Sequence, residues 1–332
     1  MLRDDLGRMR TVLTRFTVAT ALLVCAVGVW ALESGGVLPL PDAELLRRLR
    51  DDDFTIQTVK GAGGGVMGAK KLTIRFADGT TINAKWKVTG SSGDGWNNSP
   101  RREIGAYVVQ QLFLEPQNYL VPPAVARCIP LDVYRTVDEN PKPNLELANT
   151  RCVFGMLSAW LDNVHQPEVL FDRERFSKDW AYAFHFANLN ILHDLIDHRD
   201  ARLSNFLVAN TPNDARTFSI DNGIAFGTLV YDFLVPNYNT IEVSAVPKQS
   251  VDRLRQVTRE QLDQLGVLGQ LDLDSAGVLR NVRPGPNLDP QRGERFTDTG
   301  VQFGLTAEEI AGVSERLQKL LAMVDAREIG VF

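Results

Sequence analysis

Apolar and polar residues alternate through FTIQTVKG, KKLTIRF and TINAKWKV, at residues 54–61, 70–76 and 81–88. That is the period of strands with one covered face. Asp78-Gly79 stands between the last two, where a hairpin turn is needed. The glycine-rich GAGGGVMG, residues 61–68, separates the first two. The spacing then becomes helical in RREIGAYVVQQLF, with Ile104, Tyr107, Val108 and Leu112 on one face. From there the chain reads as mainly helical. WAYAFHFANLNILHDLIDH is a long helix with too many apolar residues to lie on a surface. It runs into HRDARLSN, residues 198–205, and then the strands FLVAN and TFSI, which end at Asp221-Asn222-Gly223. PDAELLRRLRDDD predicts a short amphipathic helix within a linker over 33–53. SVDRLRQVTREQLDQLG and TAEEIAGVSERLQKLLAMVDA read as amphipathic helices closing the domain.

Composition narrows the classes. Of 332 residues, 44% are apolar and 23% charged, which describes a globular chain. A formal net charge of −5, with no dense Lys/Arg run after the first segment, argues against a nucleic-acid partner. The amino terminus stands apart. Residues 16–32 carry no charge and follow a basic flank, residues 1–15, with Arg3, Arg8, Arg10 and Arg15. A spanning helix needs roughly 17–25 apolar residues, and such a flank stays cytoplasmic. The expectation is a signal anchor, or a signal peptide cleaved near Val29-Trp30-Ala31, with the domain on the periplasmic or secretory-lumen side. Beyond it lie only Cys128 and Cys152. They form one disulfide if the chain is exported, or remain small core residues otherwise, and their spacing fits no zinc site.

HRDARLSN matches the spacing H-R-D-x-x-x-x-N of a phosphoryl-transfer loop. Transfer from ATP needs a cover for the phosphates, a cation on them, metal ligands and a group that orients the acceptor. Gly63, Gly64 and Gly65 offer the cover, since glycines let backbone N–H groups surround phosphate oxygens; the plainer reading is a flexible turn. No Gly-Lys-Ser/Thr closes a Walker A loop. Lys85 and Lys87 share one strand face, and either supplies the cation; Lys87 is preferred at the strand end beside Trp86, with Glu103 as its carboxylate. Asp200 is the expected catalytic base. Asp221 and Asn205 are the expected ligands of Mg²⁺ or Mn²⁺. Arg202 shields the transferring group or is an ordinary surface arginine.

With strands and one helix first and mostly helices after, this order predicts an α+β, two-lobed protein-kinase-like fold. Its small lobe spans 54–127 and its helical lobe 128–332. The chain resembles the secretory-pathway kinases, the family of the Golgi casein kinase and the proteoglycan xylose kinase, and is more distantly similar to type II phosphatidylinositol 4-kinases. The resemblance rests on REIGAYVVQQLF…VPPAVAR, on FGMLSAWL, and on IDNGIAFG, over about Thr58 to Val251. It implies Asp200 as catalytic Asp, Asp221 as metal Asp, Glu103 as helix carboxylate and Lys87 as nucleotide lysine. The chain departs from that family in reading Asp200-Ala201-Arg202 where Asp-Arg-His is usual, in Asn205 where Glu is common, and in its few cysteines. The function expected is transfer of the ATP γ-phosphoryl group to a hydroxyl of a protein, glycan or lipid. Three alternatives stand beside it: a membrane-anchored pseudokinase or binding module, a nucleotidyl transferase on the same fold, and a metal-dependent phosphohydrolase using His185, His193-Asp194 and His198.

Overall fold

A computed structural model describes residues 36–63, 68–93, 99–211, 214–227 and 240–332. The expected anchor over 16–32, and Gly64 and Gly65, lie outside the described residues. Among those residues no helix is long and apolar enough to cross a membrane.

The fold is α+β. Helix α1 (Asp42–Asp51) precedes strands β1 (Phe54–Gly61), β2 (Lys70–Phe76) and β3 (Thr81–Val88), then α2 (Pro100–Gln110), β4 (Ala124–Pro130), the one-turn α3 (Leu131–Tyr134) and β5 (Cys152–Ala159). The five strands make one antiparallel sheet in the order β1-β2-β3-β5-β4. Its hairpin turn is made at Gly79, at φ +87°, where only glycine is unstrained. One face buries Leu72, Ile74, Ala84 and Trp86 against Leu45 and Leu49 of α1. The helix expected to sit in a linker is thus part of this core. The other face carries Lys85 and Lys87, with Met156 opposite Lys87 in register. There Ile104 of α2 packs on Met156, Phe154 and Cys128.

One feature differs from the sequence reading, and a second resolves an alternative it left open. First, the segment after α2 was expected to be mainly helical, yet β4 and β5 continue the sheet to Ala159, so the expected lobe boundary at 127/128 falls inside β4. Both strands are covered on two faces, and strands so covered show no alternation of the kind that marks β2 and β3. Second, Cys128 and Cys152 are joined across β4 and β5, their Cα atoms 5.4 Å apart.

Next come β6 (Val164–His165), α4 (Arg173–Lys178), α5 (Trp180–Ile196), β7 (Phe206–Ala209) and β8 (Thr217–Ser219), with β6, β7 and β8 forming a small sheet. Helix α5 is buried along nearly its whole length. Asp179 caps its amino end, accepting from the Tyr182 N–H at 3.1 Å. Asp197, at φ +43°, ends it and turns the chain into the HRD loop. The chain closes with β9 (Ala245–Val246), α6 (Lys248–Leu254), α7 (Arg259–Gln264), β10 (Gly269–Leu273), β11 (Leu279–Asn281), β12 (Glu294–Phe296), β13 (Gly300–Phe303), α8 (Ala307–Asp325) and β14 (Gly330–Val331). The single helix expected over 250–266 is two, because Thr258 starts a new one with a capping box to Gln261. Strands β10 to β13 form a four-stranded sheet absent from the sequence reading, and it packs Leu271, Val301 and Phe303 beside Ile104 of α2.

Candidate functional site

A cleft of about 580 Å³ lies against the face of the five-stranded sheet that carries Lys85 and Lys87, within the size range of small-molecule sites. Its walls include Ala62, Gly63 and Ala69 from either side of the glycine-rich turn, Lys85 and Lys87 from β3, and Glu103 from α2. Trp160–Asn163, Arg202, Asn205 and Asp221 complete it. Seven of the nine expected site residues lie outside the undescribed turn. Six of those seven line the cleft, and the seventh, Asp200, stands just behind it.

The sequence reading left Lys85 and Lys87 as alternatives, and their environments separate them. Alternation on β3 sends both to the cleft side, but Lys87 is buried at 4% exposure and reaches two carboxylates. Its Nζ lies 3.4 Å from Glu103 Oε1 and donates to Asp221 Oδ1. Burial opposes the ammonium charge, but the adjacent Glu103 and Asp221 carboxylates outweigh it and hold Lys87 above its ordinary range. Lys85 is farther off, with Nζ 3.8 Å from Asp221 Oδ1. Asp221 sits at φ +63°, one residue beyond the end of β8 after Ile220, and its carboxylate reaches Lys85 and Lys87 of β3. Burial would raise its pKa, but Lys85 and Lys87 bring it down to about 2. Asp221 is an anion at every physiological pH.

Glu103 holds this arrangement from the other side. Its second oxygen, Oε2, accepts the Asn222 N–H at 2.9 Å. The Asn222 side chain in turn accepts from the Ser219 hydroxyl at 2.8 Å, and Ser219 Oγ lies 2.9 Å from His193 Nε2. A continuous polar string therefore runs from α5 through Asp221-Asn222 to α2 and β3. Gly105, two residues beyond Glu103 in α2, makes room for the Phe226 ring, which stands 3.1 Å from where a Cβ would be. The 221–226 segment is docked on α2 as a unit.

The HRD loop closes the opposite wall. The Asp200 N–H donates to His198 Nδ1 at 3.2 Å, and His198 is fully buried. Burial lowers the His198 pKa to about 4, so the ring is neutral, with its proton on Nε2. Asn205 donates to Asp200 twice, to the backbone oxygen at 2.7 Å and to Oδ2 at 3.0 Å. Arg202 Nε lies 3.1 Å from Oδ1. Both oxygens of Asp200 are engaged, and the two side chains that hold them, Arg202 and Asn205, line the cleft. The loop is tied to the segment that leads from β8 to Asp221, because the Ile220 N–H donates to the Asn205 carbonyl at 3.0 Å.

Asp221 and Asn205 fit a divalent cation of one kind. Among the described residues no three His, Cys, Asp or Glu side chains gather as a protein-only cage. Mg²⁺ commonly takes one or two protein carboxylates and fills its shell with water and substrate phosphate oxygens. One carboxylate and one amide oxygen facing a phosphate-sized cleft match that donor set. The alternative of a phosphohydrolase on His185, His193-Asp194 and His198 finds no such support, because among the described residues no metal-ligating group of three forms.

Two parts of the site were missed from sequence. Trp160–Asn163, after β5, form a cleft wall in which the Leu161 N–H has no partner among the described residues. Arg101 and Arg102 flank Glu103 and are both buried. Arg101 pairs with Glu309 at 2.5 Å and Glu294 at 3.0 Å, and Arg102 Nε lies 3.7 Å from Glu309, which pins α2 to α8 and β12. The carboxylates lie some two hundred residues downstream, and no local pattern signals such a pairing.

Compared with models of known protein families and with curated proteins, the chain matches none.

Proposed function

We propose that this protein is an ATP-dependent phosphotransferase with a two-lobed, protein-kinase-like arrangement. It moves the γ-phosphoryl group to a hydroxyl of a protein, glycan or lipid. The sheet over 54–159 with α1 and α2 is the small lobe, and the helical remainder is the large one. The observation that carries this reading is the convergence of Lys87, Glu103 and Asp221 at one side of a cleft whose other wall bears Asn205 and the Asp200 loop.

In this reading Lys87, held by Glu103, grips the phosphates, and Gly63 with its neighbours covers them. The Leu161 N–H and the wall over 160–163 take the edge of the base. Asp221 and Asn205 would hold Mg²⁺ or Mn²⁺, which would supply positive charge against the phosphate oxygens. Asp200 accepts a hydrogen bond from the acceptor hydroxyl and takes its proton as the new P–O bond forms, while the bond from the γ phosphorus to the β–γ bridging oxygen breaks and its electron pair leaves with ADP. It does so once Arg202 swings from Oδ1 to the incoming anion. The preformed ion pairs favour an active enzyme over a pseudokinase, since a dead site has no need to keep both Asp200 and Asp221. The Cys128–Cys152 bridge favours an oxidising compartment, in line with an exported domain.

Labelled ATP tests the reaction class. With Mn²⁺ and a panel of hydroxyl acceptors, label from the γ position should appear on an acceptor or on the protein itself, and Asp200→Ala should abolish it. Transfer of α-label instead would assign nucleotidyl transfer, and no transfer with retained binding would leave a pseudokinase.

A further inference from the structure

Lysines face one another across three strands of the small sheet. Lys60 of β1 stands opposite Lys71 of β2, and Lys71 opposite Lys85 of β3. Directly paired residues share a face, so all three point to the side that carries Lys87 and the cleft. Like charges set directly opposite in a sheet destabilise it. A neutralising carboxylate would remove the cost, but the row has almost none. Lys60 and Lys71 pair with no acidic group among the described residues. Lys71 Nζ instead sits 4.2 Å over the ring of Trp160, in the cleft wall. Among the described residues Lys85 has only Asp221, at 3.8 Å, and Lys87 already uses that carboxylate. In a chain of net charge −5, a row of unneutralised ammonium groups leading out of an anion-binding cleft calls for an anion.

We propose that the row is a track for a linear phosphate chain, and that the cleft accepts a donor with more phosphates than ATP. The ligand class is inorganic polyphosphate or an equivalent chain. This deepens the phosphotransferase reading and rests on it. The direction follows from the geometry. The terminal phosphoryl group lies between Asp221 and the Asp200 loop, where the row begins at Lys85. Two strand spacings, about 10 Å, carry the row from Lys85 to Lys60 along the face that covers a donor. An acceptor enters from the opposite wall, so its charge does not meet these lysines. In the transfer the terminal phosphoanhydride P–O bond breaks and its electron pair leaves with the shortened chain. A bond from phosphorus to the acceptor oxygen forms, and the acceptor proton goes to Asp200.

The test measures dissociation constants of tripolyphosphate and of long-chain polyphosphate, each with Mn²⁺, for the full-length protein and for a Lys60→Met/Lys71→Met variant. ATP is titrated in parallel. The expected result is that the long chain binds about tenfold tighter than tripolyphosphate and competes with ATP. The variant should lose most of that advantage while keeping its affinity for ATP. An advantage that survives in the variant would show only the many registers of a long chain and would overturn the track. So would equal affinity for the two phosphates, or equally tight binding of polyglutamate. Undiminished ATP binding in those cases would leave the phosphotransferase reading standing, whereas loss of both would remove the two together.

Discussion

Asp194 sits in the last turn of α5, 8% exposed, just ahead of the HRD loop. Burial raises its pKa from 3.8 to about 6, against the opposing pull of Arg316 and Lys319. Between those two values the folded chain binds a proton that the unfolded chain releases. Stability therefore falls as pH rises through this window, and the full cost is present above it. At about 1.4 kcal/mol per tenfold change, the ionised carboxylate costs the fold about 3 kcal/mol at neutral pH. Asp194→Asn keeps the shape and removes the ionisation. Urea unfolding should find the variant more stable by about 3 kcal/mol near pH 7.5 and equal to the parent near pH 3.5. A gain that does not change with pH would mean that the two side chains differ in packing, not charge. No gain at all would refute the burial argument.

Other outcomes follow from the same packing. His198 has the opposite sign, since burial lowers its pKa from 6.5 to about 4, so its contribution is intact above 6.5 and lost on acidification. His198→Gln should flatten the slope of stability against pH in that window, where about 3 kcal/mol is at stake. The disulfide closes a span of 24 residues, and a Cys128→Ser/Cys152→Ser chain should lose about 3.5 kcal/mol in chemical denaturation by the loop-entropy relation. Gly155 has no room for a methyl, because a Cβ there would collide with the Lys87 carbonyl and come within 2.8 Å of the Trp86 ring. Gly155→Ala should cost about 1–3 kcal/mol and weaken nucleotide binding by displacing β3, read by thermal unfolding and titration.

How much of this could be read from the sequence depended on whether the physics was local. Strands β1 to β3 alternate because one face is buried and the other lines a cleft or meets water, and α2 and α5 carry helical spacing or an unbroken apolar run. The pairing of Lys87 with Glu103, and their meeting with Asp221 at one cleft, also followed from motif order. Strands β4 and β5 did not, since AVARCIP and CVFGMLSA are buried on both sides and show no alternation. The sheet of β10 to β13 uses strands of three to five residues, too short for a period to emerge. The clamp on α2 was hidden for a different reason: Arg101 looks solvated until Glu309 is brought to it by the fold.

In the proposed reaction Asp221 and the HRD loop serve one bound metal–nucleotide complex. Calorimetric titration of ATP with Mn²⁺ into the full-length chain, its Asp221→Ala variant and its Asp200→Ala variant tests that most directly. Binding should be present in the parent, absent in Asp221→Ala and retained in Asp200→Ala, because the proposed role of that side chain is toward the acceptor. Equal binding by the parent and Asp221→Ala, or none by the parent, would contradict it.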